Sequence, residues 1–109
     1  VGPQGRWLHY GLTSYDVVDT ALSLQVCEAL ETIVTSLDRL SAAVRRQAEV
    51  HAHTILAGRT HGMLAEPLTL GLKLAVDLQE LHRDRERLEH AHAVMSTGRI
   101  AGAVGTYGH

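Results

Sequence analysis

From Leu12 to Ala57 the chain contains neither glycine nor proline, and along that run apolar residues return every three or four positions. Val18, Leu22, Val26, Ala29, Ile33, Leu37, Leu40 and Val44 mark the line. Spacing that alternates between three and four puts these side chains on one face of a helix. The run therefore predicts a single helix from about Ser14 to His51, roughly 55 Å long at 1.5 Å per residue. Thr13-Ser-Tyr-Asp16 supplies its start, with the spacing of a capping box and Asp in place of the usual Glu or Gln. Val17, Ala21, Leu24 and Leu30 are apolar beyond the main stripe. A helix apolar on two faces must be buried on two faces, so partner helices are expected from further sequence or from other subunits.

A second helix is expected to start near Glu66-Pro67, with Pro in the first turn where its missing N–H costs nothing. Leu70, Leu74, Leu78, Leu81 and Leu88 form its stripe, and Gly98 stands where a C-cap glycine belongs. The remainder, Arg99 to Tyr107, is small and glycine-rich and reads as an extended strand or a tight loop. The organisation is thus a loop over 1–12, a long helix over 13–53, a loop over 54–65, a second helix over 66–97 and a Gly-rich extended segment over 98–109. Composition agrees with an all-α class. Hydrophobic content is 45%, yet aromatics are 4% and Phe is absent, so the packing must be aliphatic and helix against helix.

Several function classes fall away. The net charge is −2, and Arg83, Arg85 and Arg87 alternate with Asp84, Glu86 and Glu89, which argues against nucleic-acid binding. No apolar run approaches the ~18 residues of a membrane span, and the first residues lack the basic and apolar regions of a signal peptide. Cys27 is the only cysteine, so an internal disulfide is excluded; it reads as a small buried hydrophobe and suits a reducing, cytoplasmic setting. The chain lacks an initiator Met and begins in loop-like sequence, as a piece of a longer protein would.

The chemistry concentrates in two places. Eight histidines invite a metal reading, but His51/His53 and His90/His92 are two apart. On a helix such pairs diverge, whereas chelation wants i and i+4. No third ligand completes a set with His82 and His90, so no metal is expected. His61 stands apart, in "AGRTHGMLAEP" at 57–67, between glycines and beside a hydroxyl and an arginine. A loop just before a helix N-terminus favours anions, and imidazole is the side chain best matched to proton transfer near neutral pH. The pattern leaves open whether His61 carries a proton or ties the loop down by hydrogen bonds. Thr13-Ser14 is similar: one hydroxyl suffices to cap the helix, leaving the other for a carboxylate or phosphate oxygen.

Three stretches, "HYGLTSYDVVDTALSLQ" at 9–25, "GRTHGMLAEPLTLGLKLA" at 58–75 and "GAVGTYGH" at 102–109, strongly resemble the adenylosuccinate lyase family of the fumarase/aspartase superfamily. The motifs stand in family order, and the resemblance extends over nearly the whole chain. "GRTH" alone would indicate only the superfamily; its combination with "HYGLTSxDVVDTA" and "AEPxTxGLK" indicates the purine enzyme. The resemblance implies a long-helix bundle and β-elimination of fumarate from adenylosuccinate and from the succinylated aminoimidazole carboxamide ribotide. It implies His61 as general acid toward the departing nitrogen, Thr13, Ser14 and Thr60 as substrate-binding residues, and His9 near the same site. It implies no cofactor, a small nucleotide substrate, and a homotetramer whose active sites draw on three subunits.

The chain also departs from the family pattern. It has no "GSSxMPxK"-type segment, the source of the serine that removes the carbon-bound proton, and it lacks the family's upstream arginine and histidine segment. Residues 1–109 then represent part of the N-terminal and central helical region, bearing two of three motifs, and alone are expected to be inactive. Two alternatives stay open: another lyase of the superfamily, of argininosuccinate or carboxymuconate type, and a non-catalytic helical assembly module.

Overall fold

The computed structural model describes residues 2–108. After a 3₁₀ turn over Pro3–Trp7 come α1 (Ser14–Val50), β1 (Ile55–Thr60), β2 (Met63–Thr69) and α2 (Leu70–Met95). The chain divides into two compact units, Val1–Leu30 with Ala91–His109, and Glu31–His90. The long helix expected from the apolar repeat is present almost to the residue. The segment expected as a loop is not: it is a two-stranded antiparallel hairpin.

Within the unit Glu31–His90, Ile55 pairs with Thr69, Leu56 with Leu68 and Ala57 with Pro67; beyond an irregularity, Arg59 pairs with Leu64 and Thr60 with Met63. Gly58 thus faces two residues of β2, Ala65 and Glu66, as in a β-bulge. Glycine is required there because a Cβ would run into the carbonyl of Glu66. The hairpin closes over two residues, His61 (φ 51°) and Gly62 (φ 75°). Positive φ at both central positions is what a type I′ turn demands, and such turns match the twist of the flanking strands.

The hairpin also moves the start of the second helix from Glu66-Pro67 to Leu70. Pro67 lies in β2, where a two-stranded sheet tolerates a residue without an N–H. Thr69 caps α2 instead, its hydroxyl accepting from the Leu72 N–H at 3.1 Å. The Leu70 and Gly71 N–H groups donate to the carbonyls of Thr54 and His51, each at 2.9 Å. The turn after α1 therefore takes two of the donors that open α2, and Thr69 takes a third. This turn is tied further by His51 Nδ1 against Thr54 Oγ1 at 3.1 Å.

Gly71 is buried where the start of α2 meets the end of α1. A Cβ there would lie 2.6 Å from the Ala48 carbonyl and 2.7 Å from Ala52 Cα, both backbone atoms that cannot swing aside. Gly71→Ala is expected to destabilise this unit by about 1–3 kcal/mol, the usual cost of overpacking. A thermal melt unchanged from wild type would contradict that close approach. Exposed ion pairs join Arg85 to Asp38 of α1 (2.9 Å) and, within α2, Arg85 to Glu89 and Arg87 to Asp84. At such exposure they contribute little stability.

In the other unit the beginning of α1 meets the end of α2 and the segment after it. Thr20 Oγ1 accepts from the Arg99 N–H at 3.0 Å and donates to the Arg99 carbonyl at 3.2 Å. Gly98 is not the left-handed cap glycine expected from its position: α2 ends at Met95, and Gly98 instead lets the backbone pass Thr20, whose Cγ2 would be 3.3 Å from an added Cβ. Cys27, expected buried, is half-buried, with Sγ 3.6 Å from Ser96 Oγ. Described residues 98–108 form a tight loop rather than a strand, with positive φ at Gly102, Gly105 and Tyr107. No apolar side chain among the described residues is fully buried, and no helix is long and apolar enough to cross a membrane.

Candidate active site

The residues singled out from the sequence fall in two clusters. Thr60 and His61 share the tip of the hairpin in the unit Glu31–His90. His9, Thr13 and Ser14 lie within six residues of chain ahead of and at the start of α1 in the other unit.

At the hairpin tip the geometry is set by the turn. Thr60 is the last residue of β1 and pairs with Met63. His61 follows in the left-handed region, which histidine visits more readily than β-branched or bulky residues. The imidazole is exposed and has no hydrogen-bond partner among the described residues. The possibility that His61 ties down its loop thus finds no bond to support it; the β1–β2 ladder fixes the turn. The helix N-terminus expected beside His61 is not there. The start of α2 does not stand beside His61, because the seven residues of β2 intervene, roughly 20 Å of extended chain. With its first donors already engaged by Thr54, His51 and Thr69, α2 is not the positive end that serves this imidazole.

At the start of α1 the capping box is half made. The Thr13 N–H donates to Asp16 Oδ2 at 3.0 Å, so the Asp carboxylate, not the Thr hydroxyl, closes the first turn. Neither the Thr13 nor the Ser14 hydroxyl is hydrogen-bonded among the described residues; Ser14 is exposed and Thr13 half-buried. Both remain open to a ligand oxygen. His9 sits in a turn with φ 67°, its carbonyl accepting from the Leu12 N–H at 3.1 Å.

Asp16 does more than the sequence reading gave it. Its side chain is 1% exposed. Oδ1 accepts from the Ala101 N–H and Oδ2 from the Gly102 N–H, both at 3.0 Å, and Arg99 Nε lies 3.4 Å from Oδ1. Arg99 also reaches Asp19 at 3.5 Å. Hydrogen bonds from the Thr13 and Ala101 amides, helped by Gly102 and the Arg99 charge, hold the Asp16 carboxyl below its ordinary value of 3.8 against the opposing effect of burial. No buried side-chain polar atom is left without a partner among the described residues. Asp16 was legible as a capping residue from its spacing to Thr13; no local signal could announce partners 85 positions away.

Two cavities bear on where a ligand fits. One of about 100 Å³ is bounded by Gly11, Ile100, Ala101, Gly102 and Tyr107, next to the residues Asp16 holds. Another, of about 580 Å³, lies in the unit Glu31–His90 and is lined by Asp38, Arg45, Arg46, Glu49, His82 and Arg85 among others. It contains none of the candidate residues, and Arg85 is already paired with Asp38 and Glu89. The larger space is therefore not where this chemistry is arranged. No cluster of three or more His, Cys, Asp or Glu with the geometry to hold a metal occurs among the described residues.

The comparisons with known proteins agree with this arrangement of elements. Adenylosuccinate lyase of Synechocystis sp. is 50% identical over 107 residues, 98% of this chain and 25% of that protein. Among solved structures, fumarate lyase from Mesorhizobium sp. BNC1 superposes with a TM-score of 0.93 at 37% identity, covering 97% of this chain and 25% of that one. The 3-carboxy-cis,cis-muconate lactonizing enzyme from Pseudomonas putida gives 0.88 at 41% identity, covering 92% and 23%. The chain spans about a quarter of the length of these relatives. Residues 2–109 match the family model described as lyase, and the chain belongs to that family.

Proposed function

We propose that a protein of the relatives' full length carrying this segment is a lyase that eliminates fumarate from adenylosuccinate, leaving AMP. By the same chemistry it would act on the succinylated aminoimidazole carboxamide ribotide of purine biosynthesis. The observation that carries the reading is the 50% identity to adenylosuccinate lyase across almost all of the chain. In the elimination a proton leaves the carbon beside the departing nitrogen's carbon, its electron pair becomes the new C=C bond, and the C–N bond breaks. The electrons of that bond go to nitrogen, which takes a proton from the His61 imidazolium. An exposed imidazole at the tip of a hairpin, with no hydrogen-bond partner among the described residues, suits that task. The base that removes the carbon-bound proton belongs to sequence outside this segment.

The Thr13 and Ser14 hydroxyls donate to carboxylate oxygens of the succinyl group; His9 and, in the other unit, Thr60 are further substrate-binding residues, and different copies of the chain can supply them to one site. Donors rather than a metal meet this anion, and no cofactor enters the reaction. A cytoplasmic homotetramer with shared active sites belongs to the same proposal; the apolar side chains open along both faces of α1 support it.

A second reading, a carboxymuconate-type lyase, is favoured by the 41% identity to the Pseudomonas putida enzyme. Assays of the full-length protein with adenylosuccinate and with 3-carboxymuconate separate the two. The expected result is a higher kcat/KM for adenylosuccinate; the reverse preference would replace the first reading by the second.

The half-made capping box yields a further expectation. Because Thr13 caps through its N–H, Thr13→Ala leaves that bond intact and should change stability by no more than about 0.5 kcal/mol. Thr13→Ala and Ser14→Ala should both raise KM. A Thr13→Ala variant with a lost cap's penalty of about 1 kcal/mol and an unaltered KM would show the hydroxyl to be structural.

A further inference from the structure

The first turn of a helix is where its backbone is least secured, since four N–H groups there have no partner within the helix. α1 begins at Ser14, so the two hydroxyls proposed to meet substrate stand on that least secured turn. Side chains that bind a substrate must be held within fractions of an ångström, and a fraying turn does not hold them. The Asp16 carboxylate is the group that secures this one. It takes the Thr13 N–H on one side and the Ala101 and Gly102 N–H groups on the other, with the Arg99 guanidinium against Oδ1. Gly102 adopts φ 77° as it donates, a conformation that leaves little room for any other residue type. Thr20 ties Arg99 through both its N–H and its carbonyl, so the 99–102 backbone is fixed at two points of α1 one helical turn apart.

We propose that Asp16 is a positioning residue: its carboxylate locks the Thr13–Ser14 turn and the Ala101–Gly102 backbone into one block, so that the hydroxyls of that turn are presented to the substrate. The inference rests on the function proposed above. The carboxylate touches no reacting atom; it acts through the turn it holds. Ionised, it offers two oxygens and only acceptor sites, which match a ring of backbone and guanidinium donors. An asparagine of the same size offers one oxygen and an NH₂ group, and that NH₂ would face N–H donors across about the same 3.0 Å. The lock must then open on one side or the other. The small cavity formed by Gly11 with residues 100–102 and Tyr107 opens with it, since two of its walls are the residues Asp16 joins.

The test is Asp16→Asn in the full-length protein, with steady-state kinetics on adenylosuccinate and amide hydrogen exchange. Exchange at Ala101 and Gly102 should quicken while the interior of α1 keeps its protection. KM should rise about tenfold while kcat stays within about threefold. In a Ser14→Ala background the same change should raise KM clearly less than about tenfold, because only the Thr13 hydroxyl is then left to misplace. A residue that only stabilised the fold would give effects that multiply.

A folded Asp16→Asn enzyme with unaltered KM, or with a KM effect that multiplies fully with that of Ser14→Ala, overturns the proposal. If Asp16→Asn does not fold, Arg99→Gln takes its place, removing the guanidinium while leaving the three amide bonds. It should raise KM about twofold to threefold, again without multiplying the Ser14→Ala effect, and an unchanged KM overturns the proposal. A wild-type protein that does not act on adenylosuccinate overturns the underlying function. One that does act, with an Asp16→Asn variant that binds substrate equally well, overturns the positioning role alone.

Discussion

Replacing His61 by alanine in the full-length protein should lower kcat by roughly 10²–10⁴, the usual share of a general acid, with a far smaller change in KM. The imidazole is exposed at the tip of a short ladder and makes no hydrogen bond among the described residues, so its loss should be felt in chemistry rather than packing. His61 sits at φ 51°, a region that alanine visits less readily than histidine, so an alanine variant alone mixes a conformational effect with a catalytic one. Asparagine separates them. It tolerates positive φ and is the residue most favoured before glycine in a type I′ turn, yet it carries no titrating proton near neutral pH. His61→Asn should therefore keep the melting temperature of wild type and lose turnover as severely as His61→Ala. A His61→Asn enzyme with near-normal kcat at neutral pH would make the residue a turn former and nothing more.

The same residue shows what the sequence could and could not disclose. The helices were legible because their signal is repetitive: α1 runs Ser14–Val50, against an expected end near His51, since every turn of a 37-residue helix restates the period. The hairpin was not. Its strands are six and seven residues long, glycine and proline interrupt them, and a bulge at Gly58 breaks the alternation that would mark each as a strand. His-Gly stands where Asn-Gly or Asp-Gly would have announced the turn. Reading it as a loop also misplaced the start of α2, whose cap is Thr69, and with it the source of positive potential expected near His61. Motif and spacing picked out Thr13, Ser14 and His61. The other half of the Asp16 network, at Arg99, Ala101 and Gly102, is a tertiary fact created only when the two ends of the unit meet.

The largest effect to be seen with these 109 residues alone concerns their company: isolated in water, the chain should not persist as a folded monomer. Ordering each residue costs about 1–2 kcal/mol of conformational entropy, which a domain offsets chiefly by burying apolar side chains at roughly 25 cal/mol per Å². Here no apolar side chain among the described residues is fully buried. Val17, Val18, Leu22, Leu24, Ile33 and Leu40 on α1, with Leu72 and Val76 on α2, are 48–63% exposed. The ion pair of Arg85 with Asp38 between the helices, and the pairs within α2, cannot make up the difference, since they are open to solvent. Surfaces of this kind become favourable only when another helix covers them. Sedimentation should therefore show species larger than one chain, and the helical circular dichroism should fall on dilution as those species come apart, since association here is folding. Adding the remaining sequence of a full-length protein should remove the concentration dependence of the helical signal down to far lower protein. A folded species of single-chain mass, with a melting temperature independent of concentration, would show that this segment stabilises itself and that the open faces of α1 need no partner.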